Sequence, residues 1–288
     1  MGIIENYELK DELSFKIPTK TRFYVAVNDI EELVSIYRFV RSTNIKVCIL
    51  GGGTNIIFNN SYFDGVVIST KMLNKIKIID KNIYAESGVT IRILNEIAMI
   101  SSLTGLEFSG GLPGTVGGAV TMNAKSYNKD FALVVRSVDV FDVSTFKITT
   151  LERNAIDFSY KDSIFQHDPN LFILNVEFNL DYGDKKCIEK EYQKNINDRE
   201  RKGQFDYPSA GCIFKNMHDT GVSTGKIIEE LGLKGKSIGG AVVFDKHANF
   251  IINKNSATSN DVISLIEFIE DEAYNKKGIK LEREIKIL

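Results

Sequence analysis

The stretch Gly110-Gly111-Leu112-Pro113-Gly114-Thr115-Val116-Gly117-Gly118-Ala119 concentrates five glycines and a proline in one segment of the chain. An ordinary turn needs only one or two residues of this kind. Glycine permits positive φ and leaves backbone N–H groups open to an anion, so a bare segment can cradle a phosphate. We therefore interpret Gly110 to Gly118 as a glycine-rich loop that a ligand covers.

A shorter glycine loop lies upstream, where Gly51-Gly52-Gly53-Thr54-Asn55 directly follows the apolar segment Lys46 to Leu50, a predicted strand. It is not the dinucleotide fingerprint, because Ile56 stands where the third glycine should be. Two such loops in one chain favour an extended ligand with a pyrophosphate, such as a dinucleotide. The alternative is two unrelated turns at the edge of a sheet.

The pattern around the loops predicts a chain that mixes helices and strands. One helix begins after Asp29, a second runs from Thr90 to about Thr104 and closes at Gly105, and a third ends at Gly278. The final segment, Ile279 to Leu288, alternates like a strand. Further strands are predicted at Phe23 to Val27, Val66 to Ser69, Ile76 to Ile79, Ile83 to Ser87, Val134 to Ile148, Phe172 to Leu180, Cys212 to Lys215, Gly240 to Phe244 and Phe250 to Ile252.

Composition narrows the functional class. The chain has 288 residues, a length that suffices for two domains. Its formal net charge of −2 and pI of about 6.0 do not favour a nucleic-acid-binding protein. We expect no membrane span, because no stretch approaches the roughly 18 apolar residues that one needs. Three cysteines are too few for a disulfide framework and indicate a reducing cytosol. The histidines at 167, 218 and 247 show no metal-ligand spacing, so no metal site is predicted.

Together with motifs further along the chain, the two loops resemble those of the UDP-N-acetylenolpyruvoylglucosamine reductases, the MurB family. The resemblance covers nearly the whole chain, and the shared order and spacing of its motifs make it specific. Those motifs are Gly51-Gly52-Gly53-Thr54-Asn55, Gly111-Leu112-Pro113-Gly114-Thr115-Val116-Gly117-Gly118-Ala119, Met122-Asn123-Ala124, Tyr160-Lys161-Asp162-Ser163-Ile164-Phe165, Pro208-Ser209-Ala210-Gly211-Cys212-Ile213-Phe214-Lys215-Asn216, His247-Ala248-Asn249-Phe250 and Leu281-Glu282-Arg283-Glu284-Ile285.

The resemblance implies an α+β fold with a two-part FAD-binding region of the vanillyl-alcohol-oxidase (PCMH) type and a C-terminal α+β substrate domain. We expect FAD subdomains at residues 1–70 and 71–187 and the substrate domain at 188–288. The implied enzyme, of the shorter subclass, uses FAD and NADPH to reduce the enolpyruvyl group of UDP-N-acetylglucosamine enolpyruvate to UDP-N-acetylmuramate. This reaction belongs to peptidoglycan precursor synthesis, so we expect a cytoplasmic, monomeric protein that serves cell shape and division.

The resemblance also implies roles for individual residues. Cys212 stands where the family has its proton donor, usually Ser and sometimes Cys, and Glu284 falls on the second catalytic position. A thiol is mostly protonated near neutrality and can donate its proton. The implied FAD-binding residues are Gly51, Gly52, Gly53, Thr54, Asn55, Pro113, Gly114, Thr115, Gly117, Gly118 and Asn123. The implied substrate-binding residues are Tyr160, Lys215 and Asn216.

The sequence departs from the family pattern at the third implied catalytic position. Lys161 follows Tyr160 where the family has Arg, and that Arg stabilises the developing enolate and grips the substrate carboxylate. Lysine keeps the charge but lacks the planar two-pronged fork. Lys125 stands where a glycine usually follows Asn-Ala, and Met217 replaces a proline. These departures leave two alternatives open: another flavin oxidoreductase of this fold, or a weakened or non-catalytic relative that binds flavin or a UDP-sugar.

Overall fold

The computed structural model describes residues 2–217 and 221–288. Its helices are α1 (Ile30–Thr43), α2 (Ile91–Ile100), α3 (Val116–Thr121), α4 (Ile164–His167), α5 (Lys185–Arg201), α6 (Thr224–Glu230) and α7 (Ser259–Lys277). Its strands are β1 (Ile4–Glu8), β2 (Lys20–Ala26), β3 (Lys46–Leu50), β4 (Ile56–Ile57), β5 (Tyr62–Ser69), β6 (Ile76–Ile79), β7 (Asn82–Glu86), β8 (Leu103–Thr104), β9 (Lys125–Ser126), β10 (Lys129–Asp130), β11 (Val135–Asp142), β12 (Lys147–Glu152), β13 (Leu171–Asn179), β14 (Asp181–Tyr182), β15 (Ser209–Cys212), β16 (Ser237–Ile238), β17 (Ala241–Val243), β18 (Phe250–Asn253) and β19 (Lys286–Ile287). This mixture confirms the predicted α+β class.

The chain divides into two compact units. The first comprises Met1–Ile4, Tyr24–Gly52 and Gly65–Asp198. The second comprises Glu5–Phe23, Gly53–Asp64 and Arg199–Leu288. The finer division of the FAD-binding region at residue 70, and the start of the substrate domain at residue 188, stay predictions.

The first unit is built on an antiparallel sheet of five strands in the order β12-β11-β13-β7-β6. Helices α2 and α3 contribute buried apolar side chains to the core that this sheet shares. Fully buried members of the core include Ile83, Ile91, Leu94, Val116, Val120, Phe131, Val138, Val140, Val176 and Phe178. The core therefore fixes the start of α3, which lies within the longer glycine stretch.

Strand β3 of the first unit determines where the shorter glycine stretch begins. Strand β3 pairs in parallel with β5 from Lys46↔Gly65 to Leu50↔Ser69, and Leu50 is buried. The helix α1 begins as predicted, because the Asp29 carboxylate accepts the Glu32 N–H at 2.9 Å. The turn Gly51-Gly52 thus starts at the carboxyl end of a parallel strand whose last residue is buried.

The second unit contains an antiparallel sheet in the order β15-β18-β17-β16. Helix α7 supplies the predicted apolar face to its core and ends as predicted at Gly278, whose φ is 67°. Core members of this unit are Phe15, Ile17, Ile57, Ile213, Phe214, Ile228, Ile251, Val262, Leu265, Ile266 and Ile269. Strand β15, which ends at Cys212, is therefore an edge strand of this sheet.

Several predicted element bounds are wrong. The strand predicted from Cys212 to Lys215 is instead β15, which runs from Ser209 to Cys212. The segment predicted as strand from Val134 to Ile148 forms two strands, β11 and β12, with a turn between them. The helix after Thr90 ends at Ile100 rather than near Thr104, because the chain turns at Ser102 with a φ of 55° and residues 103–104 pair with β14. The closing segment is a strand only at Lys286–Ile287. Residues 279–288 do not form one ladder, because Arg283 bridges to Phe214 whereas β19 pairs with β4.

Within residues 2–217 and 221–288, no helix combines the length and the apolar character needed to cross a membrane.

The N-terminus of α7 provides a test of stability in the second unit. The Thr258 hydroxyl accepts the Asp261 N–H at 3.2 Å, and the Asp261 carboxylate accepts the Thr258 N–H at 2.9 Å. We expect Thr258→Ala to lower the free energy of unfolding by about 1 kcal/mol, because a helix N–H loses its acceptor. Urea unfolding followed by circular dichroism measures the change. Thr258→Ser keeps the hydroxyl and is the control, and equal midpoints for the parent and the alanine variant would contradict the assignment.

Candidate functional site

The two glycine stretches, distant in the sequence, touch each other in the first unit. A Cβ added to Gly51 would overlap the Oγ1 atom of Thr115, and one added to Gly52 would lie 2.6 Å from the Cα of Gly114. Real Cβ atoms do not approach backbone so closely, so only glycine allows this contact. The sequence predicted that these loops serve one ligand, and the structure places Gly51, Gly52, Gly114 and Thr115 side by side.

The longer stretch is tied to the segment that precedes α2. The Ile91 N–H donates to the carbonyl of Gly114 at 3.1 Å, and the Val116 N–H donates to the carbonyl of Val89 at 2.8 Å. The Gly117 N–H donates to the carbonyl of Ser87 at 2.8 Å. Backbone hydrogen bonds on both sides of Thr115 therefore hold it in an extended conformation, with a φ of −119°.

The predicted loop is shorter than Gly110 to Gly118, because α3 begins at Val116. Gly117 and Gly118 are helical, and Gly117 packs so closely that an added Cβ would lie 2.8 Å from the Cβ of Ser87. Gly117 therefore allows close packing against Ser87 and does not belong to a flexible loop. Pro113 is exposed at the tip of the remaining turn.

Two buried hydroxyls at this place have no hydrogen-bond partner among the described residues. They are Thr115 Oγ1 and Ser87 Oγ, and Thr115 and Ser87 are 3% and 2% exposed. A buried hydroxyl without a partner costs free energy, so such atoms point to a ligand that completes them. Sequence reasoning missed Ser87, because a single serine at the end of a strand carries no signal of its own.

Backbone donors add to the hydroxyls. Within the described ranges, the N–H groups of Gly51, Gly52, Gly114 and Thr115 donate to no carbonyl or side-chain acceptor. N–H groups and hydroxyls that lie close together can bind an anion, because each oxygen of a phosphate accepts several hydrogen bonds. We call Gly51, Gly52, Ser87, Gly114 and Thr115 the anion cradle.

The turn that carries Tyr160 and Lys161 lies in the same unit and has strained geometry. The Ser159 N–H donates to the carbonyl of Asp162 at 3.1 Å, and the Asp162 N–H donates back at 3.3 Å. Lys161 has a φ of 58°, which is unusual for a residue with a side chain. The Gln166 amide donates to the carbonyl of Lys161 at 3.0 Å and fixes it there. Strain of this kind persists only where surrounding bonds support it, and it is common at functional sites.

Asn123 positions this turn. It is 2% exposed, its amide nitrogen donates to the carbonyl of Ser159 at 2.7 Å, and its amide oxygen accepts the Ala132 N–H at 3.0 Å. Both polar ends of the side chain are therefore engaged within the protein. Its predicted contact with a cofactor stays a prediction, and the structure adds a bracing role that the sequence did not indicate.

Cys212 lies at an irregular point of an edge strand in the second unit. Ser209 pairs with Ile252 and Cys212 pairs with Phe250, with a bulge between these pairs. Gly211 supplies the bulge with a φ of 78°. A bulge redirects the side chains next to it, and bulges are frequent beside active sites. Cys212 is half-buried.

Glu284 is held beside the residue after Cys212. The Glu284 N–H donates to the carbonyl of Ile213 at 2.8 Å. The Asn55 amide donates to the carbonyl of Glu284 at 3.0 Å, and the Lys286 N–H donates to the carbonyl of Asn55 at 3.0 Å. Asn55, predicted as a cofactor contact, thus fixes the backbone of the predicted catalytic glutamate, and Cys212 and Glu284 lie on hydrogen-bonded segments of one unit.

The neighbouring carboxylate Glu282 has a different environment. It forms an ion pair with the Lys215 ammonium at 2.7 Å, and its side chain is 71% exposed. Asn216 accepts the Thr224 N–H at 3.0 Å through its side-chain oxygen. The two implied substrate residues, Lys215 and Asn216, are therefore organised by local contacts, and Glu282 is already paired with a cation.

The described histidines offer no metal site. His247 packs on Phe250 with ring centroids 4.4 Å apart, and burial, followed by the nearby Lys202 charge, lowers the pKa of His247 to about 4. It is thus neutral near pH 7. His218 lies outside the described residues, and within the described ranges no group of three or more His, Cys, Asp or Glu side chains is arranged to hold a metal.

Comparisons with known proteins agree with this geometry. A profile described as FAD binding domain matches residues 21–151, and one described as UDP-N-acetylenolpyruvoylglucosamine reductase, C-terminal domain, matches residues 203–288. The first contains the whole anion cradle, and the second contains Cys212 and Glu284. The predicted combination of an FAD-binding region with a C-terminal reductase domain is therefore confirmed.

Whole-length relatives extend the agreement. A UDP-N-acetylenolpyruvoylglucosamine reductase of Borrelia garinii is 42% identical over 94% of this chain and 89% of its own length. One of Caldanaerobacter subterraneus is 37% identical over 98% of this chain and 92% of its own length. The crystal structure of UDP-N-acetylenolpyruvylglucosamine reductase (MurB) from Thermus caldophilus superposes with a TM-score of 0.82, at 29% identity, and covers 99% of this chain and 98% of that one.

The unsatisfied hydroxyl of Thr115 provides a test of the anion cradle. Thr115→Val keeps the shape of the side chain and removes a buried oxygen that has no hydrogen-bond partner in the described part of the chain. If FAD is the partner of this hydroxyl, we expect the apoprotein to be as stable as the parent or more stable, and FAD to bind about tenfold more weakly, because a bound cofactor would lose a hydrogen bond. Thermal unfolding of the apoprotein and FAD titration by fluorescence measure the two effects. Thr115→Ser retains the hydroxyl as the control, and parent-like FAD affinity of the valine variant would exclude the contact.

Proposed function

Because this chain belongs to the family of UDP-N-acetylenolpyruvoylglucosamine reductases, we propose that it reduces the enolpyruvyl group of UDP-N-acetylglucosamine enolpyruvate to UDP-N-acetylmuramate. NADPH is the reductant, and the enolpyruvyl double bond gains one hydride and one proton. The product is a precursor of peptidoglycan, so the enzyme serves cell-wall synthesis and, through it, cell shape and division. We place it in the cytoplasm as a monomer, a location supported by its three free cysteines.

The observation that carries this proposal is the pair of buried, unsatisfied hydroxyls beside touching glycine loops. Ser87, Thr115 and the bare N–H groups of the anion cradle match the diphosphate of FAD, because they offer donors and no competing negative charge. Bound FAD supplies hydride transfer from NADPH to the vinyl carbon of the substrate. The protein supplies the binding, the orientation and the proton.

Cys212 is the group we assign to proton donation. Its thiol packs partly against an apolar cluster of Phe244, Phe250 and Ile252, which limits the access of water to one side of the sulfur. A thiol near neutral pH carries its proton and can transfer it to the carbon next to the carboxylate. The Gly211 bulge sets the direction of the cysteine side chain next to it.

Glu284 is the second group at this place. Its main chain is fixed from two sides, by Ile213 and by the side chain of Asn55. A fixed backbone reduces the freedom of the carboxylate, and preorganised groups of this kind stabilise charge that develops in a transition state. We assign Glu284 to polarising the enolpyruvyl group or to stabilising the enol that forms.

Lys161 and Lys215 provide positive charge for an anionic substrate. We assign Lys161 to the developing enolate and the carboxylate, with Tyr160 beside it, and Lys215 with Asn216 to the remainder of the UDP-sugar. The pairing of Lys215 with Glu282 does not oppose this role, because Glu282 is 71% exposed. Ion pairs with an exposed partner contribute little, so a phosphate can replace Glu282.

Anaerobic flavin spectroscopy tests the function of the parent enzyme. The purified protein should be yellow, NADPH should bleach it, and UDP-N-acetylglucosamine enolpyruvate should restore the colour without oxygen. Bleaching without recovery would favour another flavin oxidoreductase of this fold. If the purified protein is colourless and does not bind added FAD, every flavin-dependent function is rejected.

Replacement of Cys212 tests the proton donor separately. Cys212→Ala should lower kcat by about 10²- to 10⁴-fold, because general acid catalysis contributes that much. Bleaching by NADPH should stay at the parent rate, and only recovery with substrate should slow. Cys212→Ser should keep substantial activity, and Cys187→Ala, at an exposed cysteine, is the control. Parent-like turnover of the Cys212 alanine variant would reject the assignment.

Replacement of Lys161 tests the cation. We expect Lys161→Ala to raise KM and to lower kcat for the UDP-sugar, because a point charge near the developing enolate is lost. Lys161→Arg should equal or exceed the parent, since its planar fork binds a carboxylate through two hydrogen bonds. Steady-state kinetics with both substrates measures these effects. If neither variant differs from the parent, Lys161 has no role in the reaction.

A further inference from the structure

Lys125 lies against the face of Tyr160. Its ammonium nitrogen is 5.3 Å from the centre of the ring, within the range of a cation–π interaction. We propose that Lys125 is a positioning residue of the substrate site, which orients the ring of Tyr160 and adds a second positive charge beside Lys161. The inference rests on the proposed function, whose substrate carries a carboxylate and a diphosphate.

The backbone holds Lys125 in place. It begins the hairpin β9–β10, in which Lys125 lies opposite Asp130. Ser126 donates its hydroxyl to the carbonyl of Phe108 at 2.6 Å, and the Tyr127 hydroxyl lies 3.0 Å from the carbonyl of Asn195. A lysine on an anchored hairpin presents its charge at a fixed place, which reduces the entropy lost when an anion binds.

A hydrogen bond also connects the segment that carries Lys125 to the turn that carries Tyr160. Asn123, two residues before Lys125 in the chain, donates to the carbonyl of Ser159 at 2.7 Å. The hydrogen bond of Asn123 fixes the backbone at the start of the turn, whereas the cation of Lys125 contacts the ring at its tip. Residues 123–125 thus brace both the main chain and the side chain of this turn.

The charge of Lys125 is not neutralised inside the protein. Among the described residues, no carboxylate lies within ion-pair distance of its ammonium group, although Asp130 is its neighbour across the hairpin. Lys125 is only partly exposed. A lysine on the face of an aromatic ring, at a turn that also carries Lys161, attracts an anionic ligand and repels a cationic one. This charge suits the anionic UDP-sugar of the proposed function, which carries a carboxylate and a diphosphate.

The test compares three variants of the holoenzyme. Lys125→Met removes the cation and keeps the length, Lys125→Arg keeps the cation, and Lys129→Met removes an exposed lysine of the same hairpin as the matched control. The measurements are flavin content, the rate of bleaching by saturating NADPH, and KM and kcat for UDP-N-acetylglucosamine enolpyruvate. Titration of the oxidised holoenzyme with the same UDP-sugar, monitored by flavin absorbance, gives its Kd without turnover.

For Lys125→Met we expect KM and Kd for the UDP-sugar to rise about tenfold, with flavin content and bleaching unchanged, because a cation is lost from an anion site. For Lys125→Arg we expect both constants to stay within about twofold of the parent, because Arg also interacts with an aromatic face. Increasing salt should reduce the difference between the parent and Lys125→Met, since ions screen exposed charges.

Three outcomes would overturn the inference about Lys125. They are parent-like KM and Kd in Lys125→Met, an equal rise in Lys129→Met, and a loss of flavin or thermal stability in Lys125→Met that Lys125→Arg does not rescue. The last would show a purely structural lysine. Failure of the proposed function is recognised separately, because the parent enzyme itself would then bleach with NADPH and not recover with the UDP-sugar.

Discussion

The close approach of two bare backbone turns is the constraint on which the rest of this protein depends. Gly51 and Gly52 meet Gly114 and Thr115 at distances that a Cβ would not allow. Glycine at these positions brings N–H groups from two distant segments together without side chains between them. Among residues 2–217 and 221–288 the buried hydroxyls of Ser87 and Thr115 have no hydrogen-bond partner, so the folded protein carries a cost that a bound anion would remove.

A second constraint organises Cys212 and Glu284, the two candidate acid–base groups. The segment 279–288 pairs with two different partners, Phe214 through Arg283 and β4 through β19. Its Glu284 is hydrogen-bonded on one side to the residue after Cys212 and on the other to the side chain of Asn55. One asparagine thus supports the backbone of a catalytic candidate through a hydrogen bond between residues that are 229 positions apart in the chain.

The lysines at 125 and 161 show how charge can be arranged when a fork-shaped arginine is missing. Lys161 keeps positive charge in a left-handed turn that Asn123 and Gln166 support. Lys125 adds a second charge on the face of Tyr160. Lysine is a compact point charge and binds an anion with less orientation than arginine, so we propose that the cation of Lys125 adds attraction for an anionic ligand at this turn.

Local patterns in the sequence predicted the strand Lys46–Leu50, the cap at Asp29, the end of α7 at Gly278 and the two glycine stretches, because each depends on neighbouring residues. The motif resemblance supplied the family and the candidates Cys212 and Glu284. Only the tertiary structure decided that the two glycine stretches touch, that Ser87 belongs with them, that Asn123 and Asn55 brace other segments, and that the last ten residues are shared between two partners. Those features depend on hydrogen bonds and contacts between residues far apart in the chain, and neither periodicity nor composition specifies which distant groups the fold brings together.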